Sequence, residues 1–395
     1  MKATIIITFC SLFLIAYLFE LTSSKTKVPS VILLLLLGWI VRQITIFLNI
    51  ALPDLSLILP IIASIGLILI VLEGSLEIEL NKSKVIIIKK SLLGALIPTL
   101  ILSFSFAFLF LQFGDHSFKD SLINAIPFCV ISSAIAIPSV MDLSSENKEF
   151  VIYESSLTDI IGVLFFNFIV LNDNLDLGSF GIFSLQFVII IIISFVATIG
   201  LSFLLSKIEH HIKFVPIIFL IILIYEIAKF YHLPALIFIL LFGLALGNLD
   251  QLRKFKIIEK FHPEELNEEA VKFKELTIEV TFLIRTLFFL LFGYLLETSD
   301  VLNLETLVWS VGIVFAIYSI RAIQLKISNL PLKPLLFIAP RGLITILLFL
   351  SITPGQQLWF VNKSMIIQVI ILTSLIMMYG IMTNNKKDNL ETISS

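Results

Sequence analysis

Long apolar runs alternate with short polar connections along almost the whole chain, and this pattern predicts a bundle of membrane-spanning helices. A helix needs about 20 mostly apolar residues to cross about 30 Å of hydrocarbon. Thirteen windows approach or exceed that length, so we expect an all-α polytopic membrane protein with about thirteen spans. The windows cover residues 4–20, 28–47, 55–76, 86–113, 121–140, 150–171, 180–206, 214–230, 233–248, 277–296, 301–320, 335–353 and 364–383.

Composition narrows the class of protein. The chain has 58% hydrophobic and 14% charged residues and a mean hydropathy of +1.07, whereas soluble proteins carry nearer a quarter charged residues. The sequence contains no phosphate-binding glycine loop, no His or Cys metal spacing and no basic face with interleaved aromatic residues. We therefore expect a membrane protein without a cofactor, without a nucleic-acid partner and without enzymatic activity.

The distribution of Lys and Arg predicts the orientation of the chain. If the N-terminus lies outside, most of these residues fall in the loops that follow odd-numbered spans. Cytoplasmic loops carry an excess of Lys and Arg, so those loops are assigned to the cytoplasm. We expect a protein of the cell membrane, plasma or inner, with its N-terminus outside and its C-terminus cytoplasmic.

The spans divide into two halves of equal length. Spans one to six cover about residues 1–170, spans eight to thirteen cover about 214–384, and a linking helix at about 180–206 lies between them. Six spans plus one place the second half in the opposite orientation, which favours an inverted repeat. Residues 1–384 are therefore interpreted as one transmembrane domain, followed by a short cytoplasmic tail at 385–395.

The strongest candidate chemistry lies at residues 154–159, Glu-Ser-Ser-Leu-Thr-Asp, at the start of an apolar run. A carboxylate at bilayer depth costs roughly 2.5–3.5 kcal/mol and is a functional-site hypothesis by default. On a helix, Ser155 and Asp159 lie one turn apart on one face, and Glu154 and Thr158 form a second such pair. Together they offer oxygen ligands for a hard ion.

Two spans carry helix-breaking residues beside polar ones. Pro138 follows Ser132 and Ser133 in span five, and it frees the backbone carbonyl of Ala134 for a cation. An ordinary proline kink is the alternative. Pro340 and Gly342 flank Arg341 at the start of span twelve.

Three charged residues in spans need partners. Arg341 requires a buried partner, for which Glu154 is the candidate, unless the side chain reaches the cytoplasmic surface. Glu73, late in span three, either lines a cavity or ends a solvated helix. Arg285 lies in mid-span near Glu279, where a structural ion pair and a role in transport are equally favoured.

In their order and span positions, these motifs resemble the monovalent cation:proton antiporter family, in its sodium/proton exchanger branch. The family pattern Glu-Ser-x-x-Asn-Asp matches residues 154–159, and its Arg-Gly matches Arg341 and Gly342; the Glu73 and Arg285 segments match in spacing. The resemblance covers nearly the whole chain. It implies an inverted repeat in which two broken helices, spans five and twelve, cross.

The same resemblance implies two bundles and a homodimer in the membrane lipid. The core bundle would cover about 86–171 and 301–383, and the interface bundle about 4–76 and 214–296. Rocking of one bundle against the other would give alternating access to the site, and the interface bundle would form the dimer.

The activity implied is antiport of a monovalent cation, Na+ or K+, against H+. Asp159 would bind either a proton or a cation, because a hard oxygen-coordinated ion requires the ionised carboxylate. The other cation ligands would be Ser155, Ser132, Ser133 and Glu73.

The remaining residues form an expected structural network. Glu154 and Arg341 would neutralise each other, Thr158 would bond into that network, and Arg285 would belong to it. The electrogenic branch carries a second carboxylate and a lysine where this chain has Thr158 and Arg341, so exchange is expected to be electroneutral.

Two departures from the family pattern bear on the ion. The family's Thr-Asp-Pro aligns with residues 132–134, Ser-Ser-Ala, and its Asn is Thr158 here. One acidic ligand is therefore missing. Two alternatives to this reading are a potassium-efflux transporter, whose relatives usually attach a nucleotide-binding domain, and a membrane scaffold or sensor that transports nothing.

Overall fold

The computed structural model describes residues 2–26, 28–50, 54–55, 57–80, 82–113, 116–141, 143–172, 177–208, 212–249 and 263–391, and every regular element in these ranges is helical. Three of the elements are short 3₁₀ segments, at Lys82–Lys84, Ile126–Phe128 and Leu335–Phe337. The α-helices are α1 (Lys2–Thr26), α2 (Ser30–Phe47), α3 (Leu59–Glu77), α4 (Val85–Leu111), α5 (Phe118–Ala125), α6 (Ser133–Ser139), α7 (Ser145–Leu171), α8 (Leu177–Lys207), α9 (Phe214–Phe230), α10 (Leu236–Gly247), α11 (Pro263–Tyr294), α12 (Thr298–Val301), α13 (Leu304–Ile327), α14 (Leu343–Leu350) and α15 (Lys363–Glu391).

The expected all-α membrane architecture is confirmed. Within the ranges given above, ten helical segments are long and apolar enough to cross a membrane. The other three predicted windows hold α9, with 17 residues, α10, with 12 residues, and the interrupted helix at 335–350. The count of thirteen spans stays a prediction, because it requires these three shorter elements to cross as well.

Local sequence sets several helix boundaries. The Ser117 hydroxyl accepts a hydrogen bond from the backbone N–H of Asp120 at 3.1 Å and so caps α5. The Asn303 side chain accepts from the N–H of Glu305 at 3.0 Å and caps α13 in the same way. Such caps satisfy N–H groups that have no partner within the helix.

Two interrupted helices lie at the centre of the packing. In the first, α5 and a 3₁₀ turn end at Phe128, and α6 begins at Ser133. In the second, a 3₁₀ turn ends at Phe337, and α14 begins at Leu343. Helix α14 contacts α3, α7 and the 3₁₀ turn of the first interrupted helix.

The long helices pack around this centre. Helix α11 packs on α2 and α3, and α10 packs on α3 and α8; on another side, α4 packs on α5, α7 and α13, and α13 packs on α15. The division into core and interface bundles stays a prediction. Several helices extend beyond their predicted windows; α13, for example, continues to Ile327 and α15 to Glu391.

Candidate functional site

The two interrupted helices cross with their backbones in contact. The N–H of Ser132 donates to the carbonyl oxygen of Pro340 at 2.9 Å. Gly342 permits this approach, because a β-carbon there would lie 2.6 Å from the Ser132 hydroxyl oxygen. Pro340 and Gly342 stand at the second break, whereas the first break comes before Ser133 and the expected breaker, Pro138, lies inside α6.

Asp159 lies beside the first break. Its side chain comes from α7, and the residue is only 2% exposed. The backbone N–H of Ser133 donates to Asp159 Oδ2 at 3.3 Å, and the Ser133 hydroxyl donates to the same oxygen. Ser133 is the first residue of α6, so its N–H has no carbonyl partner within that helix.

The second oxygen of the Asp159 carboxylate is open. Oδ1 is buried and accepts no hydrogen bond from the part of the chain that the structure describes. Buried polar atoms are nearly always satisfied, and one without a partner calls for an explanation such as a bound ion or water. The arrangement leaves one carboxylate oxygen free to meet a proton or a cation.

A small cavity leads from the break towards Glu73. It has a volume of about 40 Å³ and is bounded by Ser133, Ala134, Glu73, Glu77 and Arg285 among others. A space of this size holds water. Glu73 and Ser133 therefore face the same cavity, as a shared site would require.

The other predicted ligands bond locally. The Ser155 hydroxyl donates to the carbonyl of Val151 at 2.7 Å, one turn back on the same helix. Ser132 contributes its backbone N–H to the helix crossing rather than to Asp159. Their hydroxyl oxygens keep lone pairs, but among the described residues only Ser133 donates a hydrogen bond to the Asp159 carboxylate.

The expected pairing of Glu154 with Arg341 is wrong. The partner of Glu154 is Arg321, whose Nη1 and Nη2 donate to the two carboxylate oxygens at 3.1 and 2.9 Å. Gln324 Nε2 adds a third hydrogen bond at 3.1 Å. Thr158 does not reach this carboxylate either, since its hydroxyl donates to the backbone carbonyl of Glu154 at 2.6 Å.

Arg341 binds backbone carbonyls instead. Its Nε donates to the carbonyl of Phe128 at 2.6 Å, and its Nη1 donates to that of Ala339 at 2.9 Å. The Phe128 carbonyl ends the 3₁₀ turn of the first interrupted helix, and the Ala339 carbonyl lies within the break of the second. The buried guanidinium thus satisfies two backbone carbonyls at the crossing and does not reach the cytoplasmic surface.

Arg285 forms an ion pair with a residue that the sequence did not single out. Its Nη2 lies 3.0 Å from Glu20 Oε1 on α1, and not beside Glu279. The expected pairing with Glu279 considered neighbours in sequence, whereas the partner Glu20 lies 265 residues away.

Sequence reasoning missed Arg321 and Gln324. The predicted span ended at residue 320, which placed Arg321 in a loop, whereas α13 continues to Ile327 and buries both side chains. A signal was available. Arg321 and Gln324 are spaced i, i+3 among apolar residues, which puts two polar groups on one face of a continuing helix.

A membrane protein built on two crossing interrupted helices with a buried carboxylate at the crossing belongs to the class of secondary transporters. The family model for the sodium/hydrogen exchanger, transmembrane, matches residues 10–384. The chain therefore belongs to the sodium/hydrogen exchanger family, and the resemblance read from its motifs is confirmed. It is an integral membrane protein of a family of cation:proton antiporters.

Solved structures agree on the fold. The chain is similar to the sodium proton antiporter MjNhaP1 from Methanocaldococcus jannaschii at pH 8, with a TM-score of 0.71 and 19% identity over 96% of this chain and 100% of that chain. A 3D EM map of the same antiporter gives a TM-score of 0.65 and 16% identity, covering 100% of this chain and 98% of that one. No curated protein sequence matches the chain.

Proposed function

We propose that the chain exchanges one monovalent cation, Na+ or K+, for one H+, with Asp159 as the shared binding site. The observation that carries the proposal is the state of this carboxylate. It is buried at the crossing of the interrupted helices, Ser133 fixes one of its oxygens, and the other has no donor among the described residues.

Competition at Asp159 would couple the two fluxes. A monovalent cation held by oxygen atoms requires the ionised carboxylate, and a proton removes that charge. Only one of the two can be bound at a time. Each change of access across the membrane would then carry either a cation or a proton through the same site.

Neutral oxygens would supply most of the remaining ligands. Ser133 contacts Asp159 directly, and Glu73 faces the cavity that Ser133 bounds. Ser132 is the residue before Ser133, and Ser155 lies one helical turn before Asp159. Because Ser133 stands where the family carries an acidic ligand, fewer fixed charges offset the dehydration of the ion. We therefore expect weak discrimination between Na+ and K+.

We propose electroneutral exchange, with Asp159 as the one group that changes its charge during the cycle. Glu154 is bound to Arg321 through both oxygens, and residue 158 is a neutral threonine. One proton per cation follows if no other group titrates during the cycle. An imposed membrane potential would then leave the rate of exchange unchanged.

Three features of assembly complete the proposal: a cell-membrane location, an N-terminus outside with a cytoplasmic C-terminus, and a homodimer. The asymmetric distribution of Lys and Arg supports the orientation. Cysteine labelling of each terminus from either side of intact cells tests the orientation. The mass of the purified protein in detergent tests the dimer.

Transport in inside-out vesicles tests the activity directly. A pH-sensitive dye is quenched by an imposed proton gradient, and Na+, K+ or Li+ is then added in turn. We expect dequenching with Na+ or K+ in the wild type and none in Asp159→Asn. A response that persists in Asp159→Asn would overturn the shared-site mechanism, and a wild type that responds to no cation would overturn antiport.

A further inference from the structure

A long groove separates helices α4 and α13 on the lipid-facing side of the protein. The two helices run antiparallel, since Gly94 lies beside Gln324 near one end and the rings of Phe110 and Trp309 lie 6.3 Å apart near the other. The groove has a volume of about 400 Å³, ten times that of the cavity beside Ser133. Pro98 lies inside α4 at this place and has no N–H to donate to the preceding turn.

The walls of the groove are apolar and open to the bilayer. Leu93, Ile97 and Ile101 of α4 and Ile323 of α13 line it, and all four side chains are exposed. From Lys90 to Ile101 the groove follows α4 for about 16 Å at 1.5 Å per residue. This is roughly half of the 30 Å hydrocarbon thickness, the depth of one leaflet.

One end of the groove is positively charged. Lys90 lines it, close to the end of α13 at Ser328. Lys90 is partly buried, and no carboxylate in the described ranges forms an ion pair with it. An ammonium at the mouth of an apolar groove matches the two parts of an anionic lipid, a charged headgroup and a hydrocarbon chain.

We propose that this groove binds an anionic phospholipid, with its headgroup phosphate on Lys90 and one acyl chain along Leu93, Ile97, Ile101 and Ile323. The site is separate from the ion-binding site at Asp159. It takes one lipid from the leaflet on the side where α4 begins and α13 ends.

The groove reaches the buried ion pair through one residue. Gln324 lines the groove and also a cavity of about 20 Å³ that Arg321 and Arg341 border. Its Nε2 donates to Glu154 Oε1, while its own Oε1 has no donor in the described part of the chain. An acyl chain in the groove covers Gln324 and keeps water away from the hydrogen bonds that Arg321 and Gln324 donate to Glu154. Lipid binding therefore stabilises the fold as well as filling the surface.

The test compares two lipids on the purified, delipidated full-length protein. Melting temperature and retained lipid, by native mass spectrometry, are measured with phosphatidylglycerol, which is anionic, and phosphatidylcholine, which is zwitterionic. Lys90→Gln removes the charge and Ile323→Trp fills the groove. Lys89→Gln and Val308→Trp are the matched controls, because Lys89 adjoins Lys90 and Val308 is an exposed residue of α13, yet neither lines the groove.

We expect phosphatidylglycerol to protect the wild type more than phosphatidylcholine does, with about fivefold weaker binding in Lys90→Gln, the effect of one basic residue at a membrane surface. Ile323→Trp should lose the retained lipid, and both controls should keep it. Comparing the two lipids within each variant removes any general effect of the substitution on folding.

Three results would overturn the proposal. The first is equal protection by the two lipids, and the second is an equal loss in Lys89→Gln or Val308→Trp. The third is a change of oligomeric state in Ile323→Trp, which would assign the groove to a second copy of the chain. Since binding is measured without ion transport, failure here is distinct from failure of the antiport mechanism.

Discussion

Arg321 holds Glu154 by two parallel hydrogen bonds, from Nη1 at 3.1 Å and from Nη2 at 2.9 Å, in the protein interior. The third guanidinium donor, Nε, reaches the carbonyl of Leu335 at 2.8 Å. One side chain of α13 thereby joins α7, which carries Asp159, to the second interrupted helix. The planar guanidinium makes this three-way connection possible, and a lysine ammonium cannot reproduce it.

Removal of either partner should destabilise the protein strongly. Glu154→Gln or Arg321→Gln leaves a buried charge without its partner, at a cost of about 3–5 kcal/mol. The double variant should recover part of that loss, and Arg321→Lys should restore little. Thermal unfolding in detergent compares the stability of these four variants with that of the wild type. Additive losses in the double variant would show that the two residues do not act as a pair.

A matched double variant separates Arg321 from Arg341. Arg341 donates to Phe128 and Ala339 rather than to Glu154, so Glu154→Gln combined with Arg341→Gln should lose about as much as the two single variants together. Recovery in this combination, and none with Arg321→Gln, would restore the pairing that the sequence suggested.

Asp159→Asn should abolish exchange while the protein still folds. The amide is nearly the same size as the carboxylate, but it neither releases a proton nor carries the charge that a cation needs. Dye dequenching in vesicles measures the activity, and gel filtration checks the fold. Asp120→Asn is a control, because Asp120 is at the start of α5, where its side chain bonds to Ser117 outside the site. It should retain exchange.

Gly94 gives a packing test of the Glu154 network. A β-carbon at Gly94 would lie 2.9 Å from Glu154 Oε1 and 2.6 Å from Gln324 Nε2. Gly94→Ala should therefore lower stability by about 1–3 kcal/mol, as overpacking does. Gly312→Ala in α13 meets no atom within 4 Å and should instead be neutral or stabilising by up to about 1 kcal/mol. Equal melting temperatures for the two variants would contradict the geometry.

Sequence singled out Asp159 and Ser133, which the structure brings together, but not the partners of the buried charges. Asp159, Ser133 and the two breaks could be found because carboxylates and helix breakers are rare in apolar spans, and their cost marks them. Helical spacing shows which residues share a face of one helix, as for Ser155 and Asp159. It carries no information on which of two arginines from other helices approaches Glu154.

Helix ends explain the remaining errors. The window for α13 ended before Arg321, because the mean hydropathy falls at this charge, although pairing with Glu154 lets the helix continue to Ile327. Likewise, Arg285 was compared with a neighbour in sequence, whereas its partner Glu20 lies on α1. Tertiary contacts offset the cost of each charge, and those contacts cannot be read from local sequence.

Outside the spans, Lys84 joins two carboxylates, with Nζ at 2.6 Å from Glu79 and 3.1 Å from Glu149. The hydrogen bond that Lys84 donates to Glu79 raises the pKa of Lys84 above its usual range. A raised lysine pKa contributes stability that is complete below the unfolded value of about 10.4 and is lost at higher pH. The wild type should therefore melt above Lys84→Gln by a constant margin from pH 7 to 9, a margin that shrinks in more alkaline buffer. The margin should be small, about 1 kcal/mol or less, because the Lys84–Glu79 ion pair is open to solvent. A margin that varies between pH 7 and 9 would contradict this assignment.

Ser133 tests how the missing acidic ligand sets ion preference. Ser133→Asp places a second carboxylate against Asp159, so it should favour the smaller, more strongly hydrated Na+ over K+ by roughly tenfold, equivalent to about 1.4 kcal/mol. It should also shift the pH profile, because two carboxylates in contact titrate together. Half-maximal cation concentrations and the pH optimum in vesicles measure both effects. Ser139→Asp is the control, since Ser139 lies on the same half-helix and bonds to the carbonyl of Ile135. If Ser133→Asp behaves like Ser139→Asp, the cation does not bind beside Ser133.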